Sequence, residues 1–336
     1  MAIERVAAST MTLYAEALDQ ALLAERSLRG FAALPGSLTT KEIGARRYLY
    51  WQVATGGKKK QHYIGPDTPE VRRTLAQAKE KRESFDLDLA SLERMAQMLA
   101  KGGLQRESTA VGTVLELLAG FGLFRRGALL VGTQAFRVYG NLLGVRLQGD
   151  FATTSDLEIA AAAADERPAL VEGLAKLDFL PVPELDPGAA SVSYKVRGKE
   201  LRVDFLTTKR GKSTKPVEIP GLGFSAQPLE FLDYLIGGDP VDALVLGRTA
   251  TRVRLPDPAR FAFHKLWTAA HRATSYQSKS NKDRRQAAAL LEVLAEDRPA
   301  ALQAAWEALA GRSGRTAIRR ELKRLGPELG GLGLDV

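Results

Sequence analysis

The chain has 336 residues, 45% hydrophobic and 26% charged, which is room for two or three globular domains. It has no cysteine and three histidines, which excludes disulfides, thiolate zinc and cysteine nucleophiles and argues against a His-rich metal site. Forty-eight Lys and Arg against 39 Asp and Glu give a net charge of +9, which favours a polyanionic partner, though an Arg-rich genome gives the same balance.

No apolar run approaches the roughly 18 residues a membrane span needs. The first residues carry charges where a signal core would be apolar. A cytoplasmic location without a membrane partner is the expectation.

Helical spacing of Leu13, Ala17, Ala21, Ala24 and Leu28 predicts a helix over 11–34, stopped by Pro35-Gly36. Residues 46–65 read as a β-hairpin, with aromatic and β-branched arms and a turn at Thr55-Gly56-Gly57. Its tip carries Lys58, Lys59 and Lys60, and Arg46 and Arg47 flank its base. Interleaved aromatic and basic side chains can hold nucleic acid by stacking and phosphate attraction. The alternative is a hairpin whose aromatics pack inward while its lysines keep the tip soluble. A long charged helix over 69–101 follows, with Pro69 at its first position, and Gly102-Gly103 ends it. Another helix spans 108–123.

Residues 128–132 (ALLVG) read as a short buried strand entering a glycine turn. Thr133 then opens an amphipathic helix carrying Phe136, Tyr139 and Leu143. Ser155–Ile159 reads as a strand, so Asp156 and Glu158 share one face and Leu157 and Ile159 the other. Two adjacent carboxylates stay ionised together only if solvated or bridged by a cation, and oxygen ligands of this kind suit Mg²⁺. A helix over 167–177 and a loop over 181–188 lead to a hairpin of 191–197 and 199–206. There Asp204 is an acid within an apolar strand; it could join the other carboxylates or pair with Arg202 or Lys195. Lys209–Lys215 is a basic loop without the phosphate-loop pattern. A short helix over 228–236 and strands at 243–247 and 251–255 follow. The remainder reads as helices: 256–274, 281–296 with Asn281 as N-cap, 298–310 and 313–325, before a Gly-rich frayed end.

The order Gly132-Thr133, helix, Asp156-x-Glu158, distant strand Asp204 resembles the polymerase-beta-type nucleotidyltransferase superfamily. The stretches VGTQAFRVYGNLLG and TSDLEIA are similar to a poorly characterised bacterial group of that fold, related to AbiEii-type toxin nucleotidyltransferases. Thr133 stands where Gly or Ser is usual, and Glu158 where Asp is commoner. The resemblance implies an α/β (α+β) fold. The resemblance covers roughly residues 128–295, a small mixed β-sheet core flanked by helices with a helical domain after it; the hairpin and helix region before it is read from the residues themselves. The corresponding domains are 1–107, 108–255 and 256–336.

It also implies the chemistry. Asp156, Glu158 and Asp204 would hold two Mg²⁺ ions, with Asp204 taking the acceptor's proton. Backbone N–H groups after Gly132 and the Thr133 hydroxyl would hold the triphosphate. Lys265 would meet the charge building on pyrophosphate, with Arg272 and Lys282 as further candidates, and Asp283 would orient a basic residue. The expectation is NMP transfer from an NTP to a hydroxyl, with a tRNA-like RNA as acceptor and Lys58, Lys59, Lys60, Arg46 and Arg47 as RNA contacts. A toxin role would bring an antitoxin partner. Two alternatives stay open: a catalytically degenerate fold that binds nucleic acid, and transfer to a small molecule or protein.

Overall fold

The computed structural model describes residues 3–27, 37–44, 46–55, 58–147, 156–161, 174, 178–184, 190–198, 200–219 and 224–326. The chain runs β1 (Glu4–Arg5), α1 (Ala8–Ser27), β2 (Ser37–Ile43), β3 (Arg46–Thr55), β4 (Lys58–Pro66), α2 (Pro69–Lys101) and α3 (Thr109–Gly120). Next come β5 (Leu129–Val131), α4 (Gly132–Leu143), β6 (Val145–Arg146), β7 (Asp156–Ala160), β8 (Phe179–Pro181), β9 (Ser193–Val196) and β10 (Arg202–Thr208). Then follow β11 (Val217–Glu218), β12 (Ser225–Leu229), α5 (Leu232–Ile236), β13 (Val241–Leu246) and β14 (Ala250–Leu255). The chain closes with α6 (Pro258–His271), α7 (Gln277–Asp297), α8 (Pro299–Glu307) and α9 (Gly314–Arg324).

The central sheet is mixed, in the order β11-β12-β10-β7-β5, with β9 also on β10 and β8 on β9. β7 and β10 run parallel, pairing Asp156 with Arg202 and Glu158 with Asp204. β5 pairs antiparallel with β7, bringing Val131 beside Glu158, and β9 brings Ser193 beside Asp204. Alternation then sorts the faces. Leu157, Ile159, Val203 and Phe205 are fully buried on one face, where Phe205 stacks on Phe224 with centroids 3.8 Å apart. Each such residue contributes about 1.5–3 kcal/mol by leaving water. The opposite face carries Asp156, Glu158, Arg202 and Asp204.

Helix α4 starts directly from β5 and ends at Gly144, whose φ of 64° is a left-handed cap that glycine adopts without strain. The Tyr139 hydroxyl donates to the Pro256 carbonyl at 2.8 Å, tying α4 to the entry of α6. Asp257 caps α6 by accepting from Arg260 N at 2.8 Å, with Pro258 at the first helical position. Helices α6 to α9 share a core of Phe261, Phe263, Leu290, Leu294, Trp306 and Ile318. The hairpin β13–β14 is double-sided: Ala243 and Val245 join the main core, while Leu244, Leu246 and Ala250 join α1 and α2 at Tyr14, Ala17, Leu92 and Leu99.

Five expectations need correction. The loop placed over 181–188 starts inside β8, which edges the sheet on β9. The helix expected over 228–236 begins at Leu232, because Ser225–Leu229 completes the parallel edge of β10. Helix α7 begins at Gln277, so Asn281 is not its cap; its Oδ1 instead accepts from Arg284 at 3.0 Å. Helix α6 stops at His271, and Thr274–Tyr276 is a 3₁₀ turn. Residues 46–66 belong to a three-stranded sheet, because Ser37–Ile43 pairs with β3. Residues 28–34 of the first expected helix, 167–173 and 175–177 of another, the Gly56-Gly57 turn and the end from 327 lie outside the described residues. Among the described residues, no helix is long and apolar enough to cross a membrane.

Candidate active site

The site grows from the row Val131–Glu158–Asp204–Ser193 across four strands. Immediately after Val131 the chain turns at Gly132, with φ of 70°. A Cβ on Gly132 would lie 1.6 Å from Glu158 Oε2 and 2.7 Å from its Cδ. Glycine is therefore required twice, by the left-handed backbone and by the carboxylate lying against it. Burial raises the pKa of Glu158, Lys265 opposes the shift, and Asp204, Asp283 and Asp156 add to it.

Asp204 is 8% exposed. It accepts from Arg202 Nε at 2.7 and 2.9 Å and from the Ser193 hydroxyl at 2.5 Å. Of the partners the sequence leaves open, Arg202 is the one seen. Its guanidinium is held charged by Asp204 first, with Asp156 and Glu158 also in electrostatic reach. Asp156 is exposed at the start of β7.

A group of cations faces this row from the C-terminal helices. Asp283, fully buried on α7, accepts from Lys265 Nζ at 3.0 Å and from Arg272 Nε at 2.7 Å. Lys282, one residue earlier, donates to the Thr133 hydroxyl at 3.1 Å, at the first turn of α4. Burial lowers the pKa of Lys282, and the nearby Lys265 lowers it further. Desolvation, with Lys265 beside it, pushes His264 down to about 3, so that partly buried ring is neutral.

The structure thus brings together Gly132, Thr133, Glu158, Asp204, Lys265, Arg272 and Lys282, with Asp156 at the rim. This is a glycine turn at a helix start, carboxylates on one sheet face and three cations opposite. A family model described as Nucleotidyltransferase matches residues 109–311. The chain belongs to the nucleotidyltransferase family. The match takes in the Gly132 turn, both carboxylate strands and the helices bearing Lys265 and Lys282. No curated protein matches the chain. Among solved structures, the crystal structure of an antigenic nucleotidyltransferase-like protein from Paracoccidioides brasiliensis is similar, at 15% identity. That comparison covers 68% of this chain and 94% of that one, with a TM-score of 0.41.

In this family member the donor set would suit Mg²⁺ in kind, since Asp156, Glu158 and Asp204 offer carboxylate oxygens on one sheet face. In the arrangement seen, Arg202 takes both oxygens of Asp204, and among the described residues no three such side chains converge as a metal site.

The basic hairpin residues stand apart from the row. Arg46 and Arg47 are exposed at the start of β3, and Arg47 pairs with Glu42 at 2.9 Å. Lys58, Lys59 and Lys60 lie on β4 opposite Thr55, Ala54 and Val53; their side chains are outside the described parts. Ser193 was not singled out from the sequence. The signal is the hairpin of 191–197 and 199–206, which brings this stretch beside β10; the register that pairs Ser193 with Asp204 is a finding of the structure.

Proposed function

We propose that this chain is a Mg²⁺-dependent nucleotidyltransferase that moves an NMP from an NTP to a hydroxyl on RNA. The observation that carries the reading is the Lys282–Thr133 contact at 3.1 Å, which sets the cations of α6 and α7 over the Gly132 turn and its carboxylates. In the reaction an acceptor oxygen bonds to the α-phosphorus, the bond to the β-phosphate oxygen breaks, and pyrophosphate leaves. N–H groups at the start of α4 and the Thr133 hydroxyl hold the phosphates. Lys265, Arg272 and Lys282 neutralise charge on the leaving pyrophosphate, and Asp283 fixes two of them in place. Asp204 accepts the hydroxyl proton. Asp156, Glu158 and Asp204 would hold Mg²⁺, which supplies Lewis-acid stabilisation of the transferring group. RNA is favoured as acceptor by the net charge of +9 and the basic hairpin. Kinship with toxin nucleotidyltransferases, and with it an antitoxin partner, is part of the same proposal and rests on the resemblance of VGTQAFRVYGNLLG and TSDLEIA to that group.

The test is label transfer with Mg²⁺, each α-labelled NTP, total RNA and cell extract, beside Asp156→Ala. Label on RNA that the variant loses supports the reading. Label on protein or a small molecule keeps the chemistry and overturns the acceptor. A second reading, nucleotide or RNA binding without turnover, is favoured by the capture of Asp204 by Arg202. It predicts no label on any acceptor, and binding that survives Asp156→Ala.

A further inference from the structure

One series of aromatic rings beside the cation group has no part in the chemistry above. Tyr234, Phe231, Trp267 and His271 stack in order, with centroids 5.0, 4.8 and 4.3 Å apart and interplanar angles of 26°, 15° and 25°. The inner end is closed. The Tyr234 hydroxyl donates to the Ala305 carbonyl at 2.9 Å, and the Arg260 and Arg312 guanidinium groups lie 5.2 and 5.7 Å from its ring centre. The outer end is open: His271 is exposed, and among the described residues no further ring packs on it.

The terminal ring is also held still. His271 Nδ1–H donates to the Trp267 carbonyl at 2.8 Å, which fixes the ring plane against the indole. Phe231, the second ring, has φ of 63°. A bulky side chain persists in that region only where its surroundings over-determine it, and such positions gather at ligand sites.

Position gives the platform its ligand. His271 lies six residues beyond Lys265 on α6, about 9 Å along the helix axis. The next residue, Arg272, shares Asp283 with Lys265. Six residues also turn the helix by about 600°, so His271 projects from a different face of α6 than Lys265, and it meets the cations assigned to the phosphates through its neighbour Arg272 at the helix end.

We propose that Trp267 and His271 form the seat of the incoming nucleotide's base, which stacks on the outer face of His271 as the fifth layer of the series. The identity of the ligand rests on the nucleotidyltransfer reading. Stacking is tolerant of base identity because every base has a π-face, so the platform supplies affinity for the nucleoside rather than choice among the four.

The test is calorimetric titration of the full chain with Mg²⁺ and four probes: ATP, CTP, inorganic tripolyphosphate and a short oligoribonucleotide. The variants are His271→Ala and His271→Phe. His271→Ala should weaken both NTPs about ten-fold, within the range that aromatic stacking on a base carries. His271→Phe should restore most of that affinity, and neither change should alter tripolyphosphate binding. NTPs, but not tripolyphosphate, should quench emission from Trp267, and Trp267→Phe should lose that response. Unchanged NTP affinity in His271→Ala, an equal loss for tripolyphosphate, or a loss confined to the oligoribonucleotide would overturn the proposal. If His271→Ala loses NTP affinity but the wild type transfers no label, the base seat stands and the transfer reading falls. If the wild type binds NTP no better than tripolyphosphate, the seat falls and the phosphate site stands.

Discussion

Asp283→Asn keeps the shape of a fully buried side chain and removes its charge. Asp283 is 0% exposed, the Lys265 side chain 9% and the Arg272 side chain 30%. Removing one partner of a buried pair costs about 3–5 kcal/mol, mostly through the charge left unpaired. Arg272 can turn toward water, whereas Lys265 cannot, so the loss should fall near the lower end, about 3 kcal/mol. Lys265→Met leaves Asp283 its bond to Arg272 and should cost less, about 1–2 kcal/mol. Combining Asp283→Leu with Lys265→Met removes both buried charges and should recover most of the Asp283→Asn loss.

The pH dependence has a defined sign. Burial alone would raise the pKa of Asp283; Lys265 and then Arg272 outweigh it and hold it below its ordinary value. A depressed folded-state pKa stabilises fully above the unfolded value of about 3.9 and loses that contribution as pH falls toward the folded value. The difference between wild type and Asp283→Asn should be flat near neutrality and shrink only below about pH 4. Urea unfolding across that pH range measures it. A variant within about 0.5 kcal/mol of wild type at neutral pH, the scatter of ordinary surface changes, would refute the reasoning.

Gly132→Ala should abolish label transfer while circular dichroism stays native, because its Cβ would fall 1.6 Å from Glu158 Oε2; retained turnover would show that Glu158 has no fixed task there. Arg202→Met should tighten Mg²⁺ binding up to about five-fold by calorimetry, since a half-exposed ion pair is worth at most about 1 kcal/mol; unchanged or weaker binding would mean that Arg202 does not compete with the ion. Replacing Lys58, Lys59 and Lys60 with Ala should lower the salt dependence of RNA binding by about two in log–log slope if all three meet single-stranded phosphates. An unchanged slope would assign the hairpin to packing, and NTP affinity should not move in either case.

The parts legible in the sequence were those that follow from local pattern. Alternation put Asp156 and Glu158 on one face, and the apolar run before Gly132 marked β5 and the start of α4. Asp283 was expected to orient a basic residue, and it binds Lys265 and Arg272. What local pattern could not show was long-range pairing. Nothing near Ser225–Leu229 says that it will extend β10, so the stretch around Pro228 reads as a helix start. Nothing near Ser37–Ile43, polar and exposed on most positions, marks it as a partner for β3. The competition for Asp204 was visible only as alternatives, because the choice between Arg202 and Lys195 is set by rotamers and register rather than by spacing.

The β13–β14 hairpin ties the core beneath the candidate site to the helices before it. Leu244, Leu246 and Ala250 are almost wholly buried, and α1 and α2 are what cover them. The family match begins at residue 109, beyond both helices. A fragment cut to the matched region would therefore expose an apolar strip on an otherwise intact hairpin and should self-associate. A minimal fragment carved from this chain would have to carry polar residues at those three positions, and the same substitutions are what a family member lacking the leading helices should display.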